Sequence, residues 1–416
     1  MNDAMPSRRT FLRAGAVGGA SVVLSGAAGA PWAAATRRDD ARAYVLVIDG
    51  CRPDELGGTL TPRLAALRRE GLSYPQARSV PIMETLPNHA MMMTGVRPDR
   101  TGVPANSAYD PADGEVRDLD RPSDLEYPTI LQRLRRKGFT TGSVLSKKYL
   151  YTLFGERATY RWEPEPLLPI TEHALDGFTH AALEAMVRDA DPHFVFANFG
   201  DIDRFGHADL TGGSIKLLRR LALANTDRLI GEFVDFLKDT GRWRHSVLVV
   251  LADHSMDWSD PFAFVSLADA FKDDSLLAGK VAFADNGGAD LLTWTGPKRQ
   301  RDKAVRRMRN IAHEVDGVLS LHDPRSLRLG SRGGDLVAYC RSGWRFSDPD
   351  PISNPIPGNH GHPATAPIPF FLAGGSPLVR RGTSTARART IDVAPTIGEV
   401  FGLGSPRGGY DGRSRL

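Results

Sequence analysis

Tyr44-Val45-Leu46-Val47-Ile48-Asp49-Gly50-Cys51-Arg52 is the stretch that decides the fold. Its five apolar residues show no polar alternation, the mark of a strand buried on both faces. A carboxylate and a glycine then end the run. Four more such runs follow, at residues 141–145, 194–199, 246–251 and 369–373. Helical patterns fill the intervals at 61–70, 129–137, 170–189 and 215–240. This alternation predicts an α/β fold: a doubly wound, mostly parallel sheet with helices on both faces. Ligands bind such sheets outside the carboxyl ends of the strands. Asp49 and Asp253 stand just after their runs, and Asp203 a few residues after its own.

The beginning of the chain reads as an address rather than as part of the fold. Ser7-Arg8-Arg9-Thr10-Phe11-Leu12 is a twin-arginine signature, followed by an Ala/Gly-rich stretch and a small-residue cleavage site at Ala33-Ala34-Ala35. Residues 1–35 are therefore expected to be a signal peptide read by the twin-arginine export machinery. Residues 36–416 are expected to be the catalytic domain, periplasmic or extracellular. The leader lacks the sustained Leu/Ile/Val content of a spanning helix, so no stable membrane span is expected in the mature chain. The whole chain carries 53 basic and 49 acidic residues; removing Arg8, Arg9, Arg13 and Asp3 leaves 50 against 48. That balance gives no case for a nucleic-acid groove. The basic cluster at 298–309 reads as a solvated helix face. Cys51 and Cys340 are the only cysteines, enough for one bridge and no disulfide framework.

Residues 258–355, approximately, are less regular and separate His254 from His360. They read as an inserted cap with a βαβ-like core: a strand at 291–295, a helix through 311 and a strand at 315–321. The prolines of 351–357 read as a rigid return to the main domain.

Asp49, Asp203, His207, Asp253, His254 and His360 supply three carboxylates and three imidazoles, enough to hold two divalent cations. Asp203 and His207 are four residues apart, so one helical turn points both the same way. Taken singly, an Asp-xxx-His pair is more often a capping or surface contact, and a post-strand Asp often caps the next helix. Hard carboxylates with imidazoles and no thiolate favour zinc, with manganese or iron as alternatives. Paired cations would make a hydroxyl such as that of Thr85 a usable nucleophile without a Ser-His-Asp relay.

Five motifs occur in order: Ile48-Asp49-Gly50-Cys51-Arg52-Pro53-Asp54, Glu84-Thr85-Leu86-Pro87-Asn88-His89, Asp203 to His207, Ala252-Asp253-His254-Ser255-Met256, and Gly358-Asn359-His360-Gly361-His362-Pro363. Together they resemble the type I phosphodiesterase/nucleotide pyrophosphatase branch of the alkaline phosphatase superfamily, over nearly the whole mature chain. The resemblance implies one zinc on Asp49, Thr85, Asp253 and His254, and a second on Asp203, His207 and His360. It makes Thr85 the nucleophile, Asn106 a phosphate-oxygen donor and a small-molecule phosphoester the substrate. Attack by Thr85 would give a phospho-threonine intermediate with inversion, and hydrolysis a second inversion.

Two departures bear on the substrate. Leu86 stands where nucleotide-cleaving members carry an aromatic residue that stacks on the base, and Thr101 replaces a common histidine. Ser146-Lys147-Lys148-Tyr149-Leu150 is similar to the lysine motif of phosphonoacetate-cleaving relatives, with only Lys147 on a family lysine. Lys147 and Leu86 are thus the candidate substrate-binding residues, though lysines opening a solvated helix fit the pattern equally. His89 is expected to orient the nucleophile loop, and His362 to lie beside the cations. The leading expectation is an exported two-zinc hydrolase, with diesters favoured over monoesters. A phosphonate hydrolase on the same fold and a silent metal- or anion-binding protein are the alternatives. Sulfate esters fit less well, because Glu55 replaces the arginine that a Cys-x-Pro-x-Arg motif needs.

Overall fold

The computed structural model describes residues 40–166, 172–208, 216–350 and 353–416. The twin-arginine leader, residues 170–171 and 215 of two expected helices, and the first two residues of the proline-rich return lie outside the described residues. The central sheet runs Gly382–Thr383, Leu72–Ser73, Phe370–Ala373, Ser246–Leu251, Arg42–Ile48, Phe194–Phe199, Thr141–Leu145, Tyr160–Trp162. From Ser246–Leu251 to Tyr160–Trp162 every neighbour is parallel. Arg42–Ile48 lies at the centre, with Ala43 opposite both Phe194 and Val247, and residues 43–48 are fully buried. Each large apolar side chain in that run contributes about 1.5–3 kcal/mol of burial, which is why the run is apolar throughout. Helices cover both faces. The longest, Leu217–Asp239, buries Leu223, Ile230, Phe233 and Leu237 on one side.

Phe370–Ala373 pairs antiparallel with Ser246–Leu251. Its amino end therefore lies at the carboxyl ends of the parallel strands. That reversal carries His360, ten residues upstream, to the edge where Asp49 and Asp253 emerge.

The cap has its own four-stranded sheet and apolar core, but not as a βαβ unit. Val281–Asn286 and Ala289–Trp294 form a hairpin closed by the Asn286–Ala289 pair, with Gly287 at φ 65° in the turn. Gly287-Gly288, the two residues between the strands, is a sequence signal for such a hairpin. Ala289–Trp294 and Val318–His322 are not neighbours, because Leu336–Cys340 lies between them, antiparallel to both. The helix Arg301–Glu314 buries Ala304, Met308 and Ala312, four residues apart, on this sheet. Its Arg306 and Arg307 face solvent, as the basic run implied.

Three carboxylates, those of Asp285, Asp290 and Asp348, meet in the cap. Asp290 is fully buried, and neither carboxyl oxygen makes a well-formed hydrogen bond among the described residues. Its carboxyl faces that of Asp348, a contact that needs a shared proton. Burial, then the charges of Asp348 and Asp285, push Asp290 well above the usual carboxylate range, and burial raises Asp348 to about 6. The folded protein therefore holds protons that the unfolded chain releases near pH 4. This contribution to stability is full below the unfolded value; the share of Asp348 is lost as pH rises through about 6, and that of Asp290 at higher pH. Asp290→Asn, which is neutral at every pH and still donates to Asp348, is expected to raise the melting temperature at pH 7 but not at pH 4. Thermal melts of both proteins across that interval check it.

Candidate active site

The carboxyl ends of the central strands deliver the candidate ligands. Asp49 follows Arg42–Ile48, and Gly50, at φ 70°, turns the chain away so closely to Asp203 that a Cβ would stand 3.0 Å from the Asp203 side chain. The helix Asp201–Ala208 follows Phe194–Phe199 and sets Asp203 and His207 one turn apart. Asp253 and His254 follow Ser246–Leu251. Thr85 is the first residue of the buried helix Thr85–Thr94.

These residues converge with a clear division of labour among the oxygens. His254 Nε2 lies 3.3 Å from Asp253 Oδ2 and 3.8 Å from Asp49 Oδ1. His207 Nε2 and His360 Nε2 lie 3.4 and 3.7 Å from Asp203 Oδ1, and 3.1 Å from each other. Asp49 Oδ1, Asp203 Oδ1 and Asp253 Oδ2 are buried and accept no hydrogen bond among the described residues. The remaining oxygens are occupied: Asp253 Oδ1 accepts from Gly50 N and His254 N, and Asp49 Oδ2 from Asn198 Nδ2 at 2.8 Å. Buried carboxylate oxygens left bare are costly unless a cation or proton meets them. Three bare oxygens facing three imidazoles suit divalent cations well. The His254 and His360 rings also stack at 3.6 Å, so His254 borders the Asp203 group as well as the Asp49 group.

Thr85 Oγ1 is within 3.2 Å of His254 Nε2 and 3.3 Å of Lys147 Nζ. Asn106 Oδ1 accepts the Leu86 N–H at 2.8 Å, while Asn106 Nδ2 donates to Glu84 Oε2. This fixes the amide face beside Thr85. Asn198 Nδ2 donates to His89 Nε2, so the His89 proton sits on Nδ1 and is donated to the Thr85 carbonyl at 2.9 Å. His89 thus orients the start of the Thr85 helix. His362 pairs with Asp257 at 2.9 Å beside the group, and it is absent from the candidate cation clusters. A cavity of about 290 Å³ opens onto Thr85, bounded by Asn106, Tyr149, Asp203, Arg204, Asn286 and His360.

The two candidate substrate residues have distinct surroundings. Leu86 is 2% exposed and packs in the main core, one residue round the helix from Thr85, so only its backbone serves the site. Lys147 does not open a solvated helix face: it is 1% exposed, and its Nζ is 2.8 Å from both Asp49 Oδ2 and Asp203 Oδ2. Burial opposes its charge, but Asp203 and Asp49 outweigh that and hold it well above the ordinary lysine value. Cys51 and Cys340 are both buried and free, one beside Asp49 and the other in the cap sheet.

Glu84 is a site residue that motif reading passed over. Its buried carboxylate accepts His360 Nδ1 at 2.8 Å on one oxygen and Asn106 on the other. Although burial opposes it, this partner and Asp203 raise His360 to about 9. Such carboxylate–histidine pairs orient the opposite ring nitrogen toward a cation. Glu84→Gln puts an amide N–H against one of two donors, and is expected to weaken divalent-cation binding about 10–100-fold, measured by chelator competition. Arg219 was equally hidden, a fully buried guanidinium that bonds Gly50 O, Ile202 O and Glu55 and so braces the loops bearing Asp49 and Asp203.

A mostly parallel sheet with this carboxylate and imidazole cluster at its carboxyl edge defines the alkaline phosphatase superfamily. The model of the type I phosphodiesterase/nucleotide pyrophosphatase family matches residues 43–362, and the chain belongs to that family of phosphoester hydrolases. It is 21% identical over 393 residues to a bis(5'-adenosyl)-triphosphatase of Xenopus laevis, covering 90% of this chain and 81% of that protein. It is 22% identical to human ectonucleotide pyrophosphatase/phosphodiesterase family member 5, covering 88% and 75%. Among solved structures, murine member 5, in an inactive threonine-to-alanine form with AMP, superposes with a TM-score of 0.72 at 18% identity, covering 88% of this chain and 96% of that one. Phosphonoacetate hydrolase of Sinorhizobium meliloti, with phosphonoformate, gives 0.67 at 18% identity and the same coverage.

Proposed function

We propose that this chain is an exported, two-zinc hydrolase of phosphodiesters that works through a phospho-threonine intermediate. The observation that carries the reading is the set of three bare, buried carboxylate oxygens facing three imidazoles, with Thr85 Oγ1 at their border. Asp49, Thr85, Asp253 and His254 would hold one cation, and Asp203, His207 and His360 the other. When bound, the cations supply Lewis-acid stabilisation of the negative charge gathering on the threonine and phosphoryl oxygens.

The chain's own groups do the rest. Thr85 Oγ1, its proton released to solvent, attacks phosphorus in line; the bond to the leaving oxygen breaks, that oxygen takes up a proton from water, and the phosphoryl group with its remaining ester passes to threonine. Water then cleaves the new phosphorus–Oγ bond and frees Thr85. Asn106 Nδ2, held by Glu84, keeps a second N–H for a phosphoryl oxygen. A nucleotide would stack on Tyr149 rather than on residue 86, since Tyr149 borders the cavity and Leu86 does not. The bis(5'-adenosyl)-triphosphatase relatives and the AMP complex favour diesters and nucleotides. The likeness to phosphonoacetate hydrolase keeps a phosphonate as the second reading. Against it stands Lys147, whose ammonium is already taken up by Asp49 and Asp203.

The test is hydrolysis of bis-p-nitrophenyl phosphate, p-nitrophenyl phosphate and phosphonoacetate by the zinc-loaded protein. Diester preference is expected. Phosphate release from phosphonoacetate with little diester turnover decides for the second reading, and no turnover of any, with two metals bound, decides for binding alone.

A further inference from the structure

We propose that Lys147 is a positioning residue that ties the two cation sites to each other, rather than a ligand for the substrate. The inference rests on the two-cation reading above. Asp49 and Asp203 come from different elements and are assigned to different cations. Each keeps one oxygen bare and toward an imidazole, and each gives its other oxygen to the same ammonium at 2.8 Å. A carboxylate with one oxygen pinned cannot turn about its Cβ–Cγ bond, so the bare oxygen stays aimed as a single-atom ligand. One side chain thereby sets the direction of two ligands at once.

The ammonium also donates to Thr85 Oγ1 at 3.3 Å. Hydrogen bonds to Asp203 and Thr85 and the ion pair with Asp49 surround it, leaving little room for a further anion. The lysine is rigidly delivered: it stands two residues after the end of the buried strand Thr141–Leu145, and its backbone bridges to His173. Its charge also offsets the mutual repulsion of the carboxylates it joins, which are 0% and 4% exposed.

Three roles make different predictions for Lys147→Met in the full chain. A positioning residue orients ligands, so its removal weakens zinc binding, and partners of this kind are worth about 10–100-fold. A stand-in cation expelled by metal would instead tighten zinc binding when removed. A substrate ligand would raise KM and leave zinc affinity unchanged. The experiment measures zinc stoichiometry and the dissociation constant of each site by chelator competition, with kcat and KM alongside. We expect a loss of at least tenfold at one site or both, with kcat recovered in excess zinc. Asp49 Oδ2 retains Asn198, so the larger loss is expected at the Asp203 site. A smaller change, or tighter binding, overturns the proposal. Should Lys147→Met not fold, Lys147→Gln asks the same question, since one amide cannot serve both carboxylates. Fewer than two zinc ions on the unsubstituted protein would overturn the two-cation reading itself.

Discussion

Replacing Thr85 with alanine is expected to lower kcat by about 10⁴-fold or more, with zinc binding and thermal stability largely retained. The size of the effect follows from the chemistry: no other hydroxyl stands between the His254 and Lys147 nitrogens, so the two-step route loses its only acceptor for the phosphoryl group. Survival of the fold follows from the geometry. Thr85 opens its helix, and that helix is held by Asn88, which bonds Val80, Ile82 and Glu84, and by His89 beneath it. None of these contacts uses Thr85 Oγ1. Three of the four ligands assigned to the Thr85 cation survive the change, Asp49, Asp253 and His254. Steady-state kinetics beside metal analysis of the same sample separate loss of the nucleophile from loss of the site. Activity within tenfold of the parent would remove Thr85 from the mechanism.

Stripping the protein with a chelator is expected to abolish hydrolysis and lower the melting temperature, with zinc restoring both. Charge stabilisation by such cations is worth several kcal/mol, about 10³-fold in rate or more. The stability effect is linkage. Any ion that binds only the folded chain stabilises it by about 2.7 kcal/mol per site at a hundredfold excess over its dissociation constant. The stripped protein should still fold, because Lys147 answers Asp49 and Asp203, and backbone N–H groups answer Asp253. Chelator-resistant turnover of a diester would contradict the reading.

The sheet was legible in the sequence because strands buried on both faces are dominated by apolar residues on both sides of the pleat. The runs at 141–145, 194–199 and 246–251 coincide with observed strands for that reason. The direction of Phe370–Ala373 was not legible: an apolar run has the same appearance whichever way it points. The cap misled for a related reason, since strand order depends on Leu336–Cys340, distant in sequence and inserted between the two expected partners. At the site, residues whose types suit cations stood out as motifs. Glu84, Asn198, Arg219 and the true surroundings of Lys147 and Leu86 did not, because their meaning lies in which neighbour each side chain meets. Glu84 sits beside Thr85 in the chain, yet its partners, Asn106 and His360, are 22 and 276 residues away.

The central claim is that phosphorus passes through Thr85. It is tested most directly by the stereochemical course at phosphorus, using a p-nitrophenyl phosphorothioate diester of defined configuration hydrolysed in heavy-oxygen water by the zinc-loaded protein. Two in-line displacements predict net retention. Net inversion would mean that water attacks the substrate directly, and would contradict the account.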